Sequence, residues 1–106
     1  MFEELDAVRL NELLQNPQSV MLIDVRTPAE VARGAIPGAR SIPLHMLPLS
    51  LNEFEGDKPL VFYCQSGARS QQACNFVAAR GRKGVYNLRG GIIGWLQSGL
   101  PTAQVA

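Results

Sequence analysis

A cysteine lies where a predicted strand meets a predicted helix, and no other arrangement in the chain is better suited to chemistry. Cys64 follows Leu60–Tyr63, an apolar run typical of a buried strand, and residues 71–80 have a helical pattern. Backbone N–H groups at such a junction can converge on an anion, and the helix dipole adds partial positive charge. This environment lowers the pKa of a thiol, so the sequence predicts a thiolate nucleophile at Cys64.

The spacing from the cysteine to the next arginine indicates what the nucleophile attacks. Cys64 and Arg69 form a C-x4-R motif, whereas phosphatases with a cysteine nucleophile have C-x5-R, one residue longer. A wider ring is needed to hold a phosphate against the sulfur, and the shorter ring fits one additional sulfur atom better. Its backbone N–H groups would stabilise a persulfide, Cys–S–S⁻, whose terminal sulfur can pass to an acceptor.

The residues that follow the cysteine are predicted to bind the sulfur donor. Gly67 supplies the backbone freedom to turn the loop, and the Arg69 guanidinium holds an anionic donor and favours the thiolate. Ser70 is predicted to cap the next helix, with a hydrogen bond to the sulfur as the alternative. The predicted substrate-binding residues, most of which contribute backbone N–H groups, are Gln65, Ser66, Gly67, Ala68 and Arg69.

Other reactive side chains are assigned structural roles. Asp24 interrupts an apolar strand and needs a partner, either in an ion pair or in backbone hydrogen bonds. Arg26 and Glu30 are predicted to pair with each other and organise the turn after that strand. Cys74 is predicted to be a core residue of the helix, with a resolving disulfide to Cys64 as the alternative.

The composition is that of an ordinary globular protein. The chain has 106 residues, of which 46% are hydrophobic and 18% charged, and this fits a single domain over residues 1–106. The net charge of +1 gives no case for nucleic acid, and the apolar stretches are too short to span a bilayer. Because the N-terminal segment lacks a signal pattern, we expect a cytoplasmic protein. Two cysteines are too few for a disulfide framework or a zinc site, and the single histidine, His45, is predicted to be a surface or structural residue.

Strand-like and helix-like segments alternate, which predicts an α/β fold with a largely parallel sheet. The predicted strands are residues 2–5, 20–25, 39–42, 60–63 and 85–88. Helices are predicted over residues 7–15 after the N-cap Asp6, over a short segment that starts with a capping box from Thr27 to Glu30, and over residues 44–54, 71–80 and 91–98.

Three segments carry motifs that occur together, in this order, in one family. Residues 22–39 are similar to the signature D-V-R-x-x-x-E-(aromatic)-x-x-G-H-I-P-G-A, with Val31 in place of the aromatic and Ala35 in place of the histidine. Residues 64–70 have the C-x-x-G-x-R-S loop, and residues 90–101 have the ending G-G-x-x-x-W-x-x-x-G-x-P. In these segments, which span most of its length, the chain resembles the rhodanese family of sulfurtransferases.

The resemblance implies a rhodanese-like fold, with a five-stranded, mainly parallel sheet and helices on both faces. It also implies a two-step reaction without cofactor or metal. Cys64 takes a sulfane sulfur from a donor such as thiosulfate, and the persulfide gives it to a thiophile, either cyanide or a thiol. The expected partners are these small molecules and a sulfur-relay protein, but neither nucleic acid nor membrane.

Two other functions stay open at this point. The first is a persulfide carrier or regulatory module between partner proteins, with poor use of free thiosulfate because Arg69 is the only charged residue in the loop. The second is a phosphatase or arsenate reductase, which the shorter loop disfavours. An inert buried thiol is disfavoured because Cys64 directly precedes the rest of the loop motif.

Overall fold

The computed structural model describes residues 1–104, and its centre is a five-stranded sheet in which every strand is parallel to its neighbours. In chain order the strands are β1 (Glu3–Leu5), β2 (Met21–Asp24), β3 (Arg40–Ser41), β4 (Leu60–Tyr63) and β5 (Val85–Leu88). Across the sheet their order is β1-β5-β4-β2-β3. The predicted α/β fold with a parallel sheet is confirmed.

Strand β4 lies at the centre of the sheet and determines where Cys64 emerges. It pairs with β2 on one side and β5 on the other, and all four of its residues are buried. Because successive side chains point to opposite faces, a strand covered on both faces needs a continuous apolar run. Cys64 is the next residue, at the carboxyl edge of the sheet, where open parallel sheets form their binding sites.

Helices cover both faces of the sheet, as predicted, and bury two parts of the core. Helix α3 (Ala68–Ala78) packs on the face that carries Ile23 and Phe62. Helices α1 (Ala7–Leu14) and α4 (Gly91–Gln97) pack on the face that carries Leu22 and Val61. Within residues 1–104 no helix has the length and apolar character needed to cross a membrane. The short helix α2 (Pro28–Val31) follows β2.

The predicted helix starts of α1 and α2 are confirmed in atomic detail. The Asp6 carboxylate accepts a hydrogen bond of 2.8 Å from the Arg9 N–H. In the capping box of α2, the Thr27 hydroxyl accepts from the Glu30 N–H at 3.3 Å and the Glu30 carboxylate accepts from the Thr27 N–H at 3.0 Å. These bonds satisfy N–H groups that have no partner within the helix.

Two predicted helices differ from the structure. The segment 44–54 is not one helix but two short 3-10 helices, Leu44–Leu49 and Leu51–Phe54, since Pro48 has no N–H to continue a regular α-helix. Helix α3 begins at Ala68 rather than at residue 71. This early start places the first turn of α3 directly against the cysteine.

Candidate active site

Three hydrogen-bond donors converge on the sulfur of Cys64. The Gly67 N–H nitrogen lies 3.1 Å from Cys64 Sγ, and the Ser70 N–H nitrogen and hydroxyl oxygen each lie 3.4 Å from it. Cys64 is only 1% exposed, so the donors meet the sulfur away from bulk water. Donors arranged in this way favour a negatively charged sulfur.

The loop turns back onto the cysteine at Gly67. This residue has φ of 118°, in the left-handed region that favours glycine, and it is the N-cap of α3. The turn brings the Gly67 N–H to the sulfur and begins α3 at once, so that Ser70 reaches the sulfur from the first turn. The predicted role of Gly67 in turning the loop is confirmed.

The amino end of α4 packs directly on the backbone of the cysteine loop. The Ile92 N–H donates to the Cys64 carbonyl at 3.0 Å, and the Ile93 N–H donates to the Gln65 carbonyl at 3.2 Å. Gly91 has φ of 58°, and a Cβ added there would lie 2.5 Å from both of these carbonyl oxygens. Gly91, the second glycine of the pair in the third motif, is therefore needed to seat the loop.

Burial and hydrogen bonding have opposite effects on the Cys64 thiol. Burial raises its pKa, whereas the Ser70 hydroxyl and N–H and the N–H groups of Gly67 and Ser66 lower it. Hydrogen bonding prevails, and the pKa of Cys64 lies below the ordinary value of a thiol. The loop therefore favours the thiolate, which is the form of cysteine that acts as a nucleophile.

The Arg69 guanidinium is bound by Glu30. Its Nη1 and Nη2 lie 2.7 Å and 2.8 Å from the two carboxylate oxygens of Glu30, in a bidentate pair. These hydrogen bonds from Arg69 lower the pKa of Glu30 to about 2. The predicted pair of Arg26 with Glu30 is wrong, because the Glu30 carboxylate faces Arg69 and Arg26 contacts only the backbone carbonyl of Glu30, at 3.4 Å.

Arg26 pairs instead with Asp24, in the interior at the end of β2. The guanidinium Nη2 lies 2.7 Å from Asp24 Oδ2 and 2.8 Å from the Gly34 carbonyl, and both partners of the ion pair are almost fully buried. Burial alone lowers the pKa of Arg26, but its bonds to Asp24 raise it above the ordinary value. Of the two kinds of partner predicted for Asp24, the structure has the ion pair, and the partner is Arg26. This ion pair fixes the turn from which Glu30 reaches the loop.

A cavity of about 170 Å³ opens beside the loop. Its lining joins the α2 region to the cysteine loop and α4, and it includes Glu30, Arg33, Gln65, Ile92 and Leu96. Within residues 1–104, no group of three or more His, Cys, Asp or Glu side chains is placed to hold a metal ion. The cavity reaches the cysteine loop at Gln65, the residue that follows Cys64.

The fold and the cysteine loop agree with a comparison with known families. The model of the "Rhodanese-like domain" family matches residues 6–98, which is most of the chain. The chain belongs to the rhodanese-like domain family.

Relatives and solved structures of the rhodanese family align over nearly the whole chain. A protein of Allochromatium vinosum named "Sulfurtransferase" is 46% identical over 95% of this chain and 94% of its own. "Thiosulfate sulfurtransferase GlpE" of Glaesserella parasuis is 29% identical over 94% of this chain and 92% of its own. The crystal structure of a rhodanese-related protein from Thermoplasma volcanium, 28% identical, has a TM-score of 0.88 and covers 97% of this chain and 99% of its own.

The structure brings the predicted site residues of this rhodanese-like domain together around Cys64, with one correction. Gln65, Ser66 and Ala68 lie exposed along the loop. The prediction that Ser70 caps α3 is wrong: Gly67 is the N-cap, and the Ser70 hydroxyl faces the sulfur. Ser70 is buried because α3 starts early and its first turn lies against the cysteine. The sequence signal for this role was the position of Ser70 as the last residue of the C-x-x-G-x-R-S motif.

Sequence reasoning did not assign Glu30 and Gly91 to the site. The pair between Glu30 and Arg69 joins residues 39 positions apart, and only the topology of the sheet brings them together. Gly91 acts through the close approach of α4 to the loop. Its signal was the glycine pair of the third motif.

The second cysteine of this rhodanese-like domain is a core residue, as predicted. Cys74 is buried on α3 and its Sγ lies 3.4 Å from the Tyr86 carbonyl. Burial raises the pKa of Cys74 to about 12, and neither cysteine is in a disulfide. His45 is exposed, which confirms its predicted place at the surface.

Proposed function

We propose that this protein is a sulfurtransferase that carries a sulfane sulfur on Cys64. The observation that supports this most strongly is the convergence of the Gly67 N–H and both Ser70 donors on Cys64 Sγ. The names of the relatives from Allochromatium vinosum and Glaesserella parasuis agree with it.

In the first step of the proposed reaction, the Cys64 thiolate attacks the outer sulfur of a donor such as thiosulfate. The new bond joins Cys64 Sγ to that sulfur, and the S–S bond of thiosulfate breaks with its electron pair on the departing sulfite. The products are the Cys64 persulfide, Cys–S–S⁻, and sulfite. The lowered pKa of Cys64 supports this step because it favours the thiolate, the nucleophilic form of the cysteine.

In the second step, an acceptor attacks the terminal sulfur of the persulfide. Cyanide leaves as thiocyanate, and a thiolate leaves as a persulfide of its own. The electron pair of the broken S–S bond returns to Cys64 Sγ, where the loop donors stabilise the negative charge again. The cysteine thiolate is regenerated, so neither an oxidant nor a cofactor enters the cycle.

The loop residues have distinct roles in this proposal. Cys64 is the nucleophile, and the N–H groups of the residues that follow it surround the terminal sulfur of the persulfide. Arg69 contributes positive charge for an anionic donor, to the extent that Glu30 leaves it free. The proposed substrate-binding residues are Gln65, Ser66, Gly67, Ala68 and Arg69.

The proposed setting is the cytoplasm, with small-molecule donors and acceptors and a sulfur-relay protein as further partner. The two cysteines of the chain, which are free and buried, are compatible with a reducing compartment. No nucleic acid or membrane is part of the proposal.

A thiosulfate and cyanide assay tests the proposed function. The wild type should form thiocyanate, and Cys64→Ala should form none above the uncatalysed rate while keeping a folded circular-dichroism spectrum. Cys74→Ala is the matched control, because it removes the other buried thiol and should retain most of the activity. Equal rates for the wild type and Cys64→Ala would contradict the proposal.

A second candidate function is a persulfide carrier between partner proteins. It is favoured by the pairing of Arg69 with Glu30, which reduces the attraction of the loop for free thiosulfate. Intact-protein mass spectrometry of freshly purified material separates the two functions. An added sulfur on Cys64 together with negligible thiosulfate turnover would support the carrier, whereas rapid turnover would support the enzyme.

A further inference from the structure

Arg69, the only charged residue of the cysteine loop, already has an anionic partner. Both of its terminal nitrogens bind the two carboxylate oxygens of Glu30, at 2.7 Å and 2.8 Å. The side chains are 34% and 24% exposed, so the pair lies at the edge of the site rather than in bulk solvent. An anionic donor that needs the guanidinium must compete with this carboxylate.

Glu30 is also held from its other side. Its Oε1 accepts hydrogen bonds from the Thr27 N–H at 3.0 Å and from the Thr27 hydroxyl at 3.1 Å. The carboxylate is therefore fixed by both the capping box of α2 and Arg69. Since its pKa is lowered to about 2, it stays charged at neutral pH.

The charged carboxylate lies at the edge of the cysteine loop, on Arg69 and on the wall of the cavity that reaches Gln65. Glu30 and the loop residue Gln65 line the same 170 Å³ space. Arg26 lines it too, but its charge is compensated by Asp24. Arg33 is exposed at this cavity, where solvent screens its charge.

We propose that Glu30 is a specificity-determining residue that makes the Cys64 site select donors of low negative charge, such as thiol hydropersulfides, over dianionic thiosulfate. This inference rests on the proposed function. The carboxylate neutralises Arg69 and repels an incoming anion. Repulsion grows with the charge of the donor, so a dianion is disfavoured twice as strongly, in free energy, as a monoanion.

The favoured reaction balances without any added reagent. The Cys64 thiolate attacks the outer sulfur of a neutral hydropersulfide, R–S–SH, and the S–S bond breaks. The persulfide Cys–S–S⁻ forms, and the departing thiolate takes the proton and leaves as R–SH. No second negative charge has to pass Glu30.

Glu30→Gln tests the proposal with little change to the fold. Glutamine also serves in a capping box, so the helix start is retained while the charge is lost. The donors to compare are thiosulfate, a dianion, and methanethiosulfonate, a monoanion that also transfers its outer sulfur and leaves as a sulfinate. If the variant lowers KM for thiosulfate about tenfold, the half-sized charge effect should lower KM for methanethiosulfonate about threefold.

The expected pattern is specific to charge. The value of kcat should change little for either donor, and the thiosulfate KM of Glu30→Gln should rise with ionic strength more steeply than that of the wild type. The matched control is Glu12→Gln, which removes the same charge from the exposed pair with Arg9 on α1 and should leave both KM values unchanged. A change in KM that is equal for the two donors, or no change at all, would overturn the proposal.

Alkylation of Cys64 gives a readout that does not require sulfur transfer. Iodoacetate and iodoacetamide react with the same thiolate and are similar in size, but only iodoacetate is an anion. The rate of alkylation by iodoacetate divided by the rate by iodoacetamide should rise severalfold in Glu30→Gln. Peptide mass mapping identifies Cys64 as the alkylated residue. If the wild type transfers no sulfur from any donor, the proposed function fails. The charge effect of Glu30 is tested separately, because an alkylation rate ratio that is the same in the wild type and Glu30→Gln would refute it.

Discussion

The Ser70 hydroxyl lies between the sulfur of Cys64 and the backbone of its own loop. Ser70 Oγ is 3.4 Å from Cys64 Sγ and 3.1 Å from the Gly67 carbonyl oxygen. A hydroxyl has a single proton, so it can donate to only one of these acceptors at a time. When the sulfur is ionised, its charge makes it the stronger acceptor, and the Ser70 proton turns toward it.

Ser70→Ala should therefore raise the pKa of Cys64 and slow the reaction. A hydrogen bond of this kind contributes about 0.5–1.5 kcal/mol, so kcat/KM should fall about two- to tenfold. The pH profile of iodoacetamide alkylation measures the pKa of Cys64 in both proteins. An identical profile would show that the hydroxyl does not stabilise the thiolate. Ser98→Ala, which alters an exposed serine at the end of α4, is the control.

Gly91→Ala should destabilise the protein strongly, because a Cβ at residue 91 would lie 2.5 Å from the Cys64 and Gln65 carbonyl oxygens. The free energy of unfolding should fall by more than about 2 kcal/mol, from the clash and the positive φ together. Gly38→Ala isolates the second effect: its φ of 87° is also positive, but nothing lies within 4 Å of the added Cβ. It should cost about 1 kcal/mol. Urea denaturation measures both, and equal losses would contradict the packing argument.

The pair between Glu30 and Arg69 should stabilise the fold in a pH-dependent way. The pKa of Glu30 is lowered from 4.5 to about 2 by folding, so its contribution is complete above pH 4.5 and is lost as the pH falls toward 2. For a partly exposed pair we expect Glu30→Gln to lose about 1 kcal/mol at pH 7. Urea denaturation between pH 7 and pH 3 should show this difference shrinking on acidification. A constant difference would mean that the charge of Glu30 is not responsible.

Asp24→Asn should be far more damaging than the loss of a surface ion pair. Asp24 and Arg26 are 1% and 3% exposed, so the variant leaves a buried guanidinium without its counter-charge. The expected loss of unfolding free energy is about 3–5 kcal/mol. Glu53→Gln, which breaks the exposed pair with Arg40, should cost about 0–1 kcal/mol. Thermal unfolding of the two variants checks the contrast, and similar melting temperatures would contradict it.

Local signals predicted the elements of the fold well. The continuous apolar run of β4, the N-cap Asp6 and the capping box from Thr27 to Glu30 depend on neighbours in sequence, and they are where the sequence placed them. The helix predicted over residues 44–54 failed for a local reason as well. Pro48 lies inside this segment, and because it has no N–H to donate, the segment has 3-10 geometry instead of a regular α-helix.

The charges of the site were harder to predict than its nucleophile. Cys64 is recognisable because the strand, the loop motif and the helix are contiguous. The predicted partner of Glu30 was Arg26, which is close in sequence, but Arg26 turns inward to Asp24. Arg69 reaches Glu30 from the segment after β4, the strand that lies next to β2 in the sheet. Ion pairs between distant segments depend on tertiary packing, which spacing along the chain does not report.

The most direct test of the proposed function is whether Cys64 accepts a sulfur atom. The protein is incubated with thiosulfate or with a glutathione hydropersulfide, freed of the donor and weighed intact by mass spectrometry. We expect that the wild type gains the mass of one sulfur atom, that peptide mapping places it on Cys64, and that cyanide removes it as thiocyanate. A wild type that gains no sulfur from either donor, or a Cys64→Ser variant that gains as much as the wild type, would contradict it.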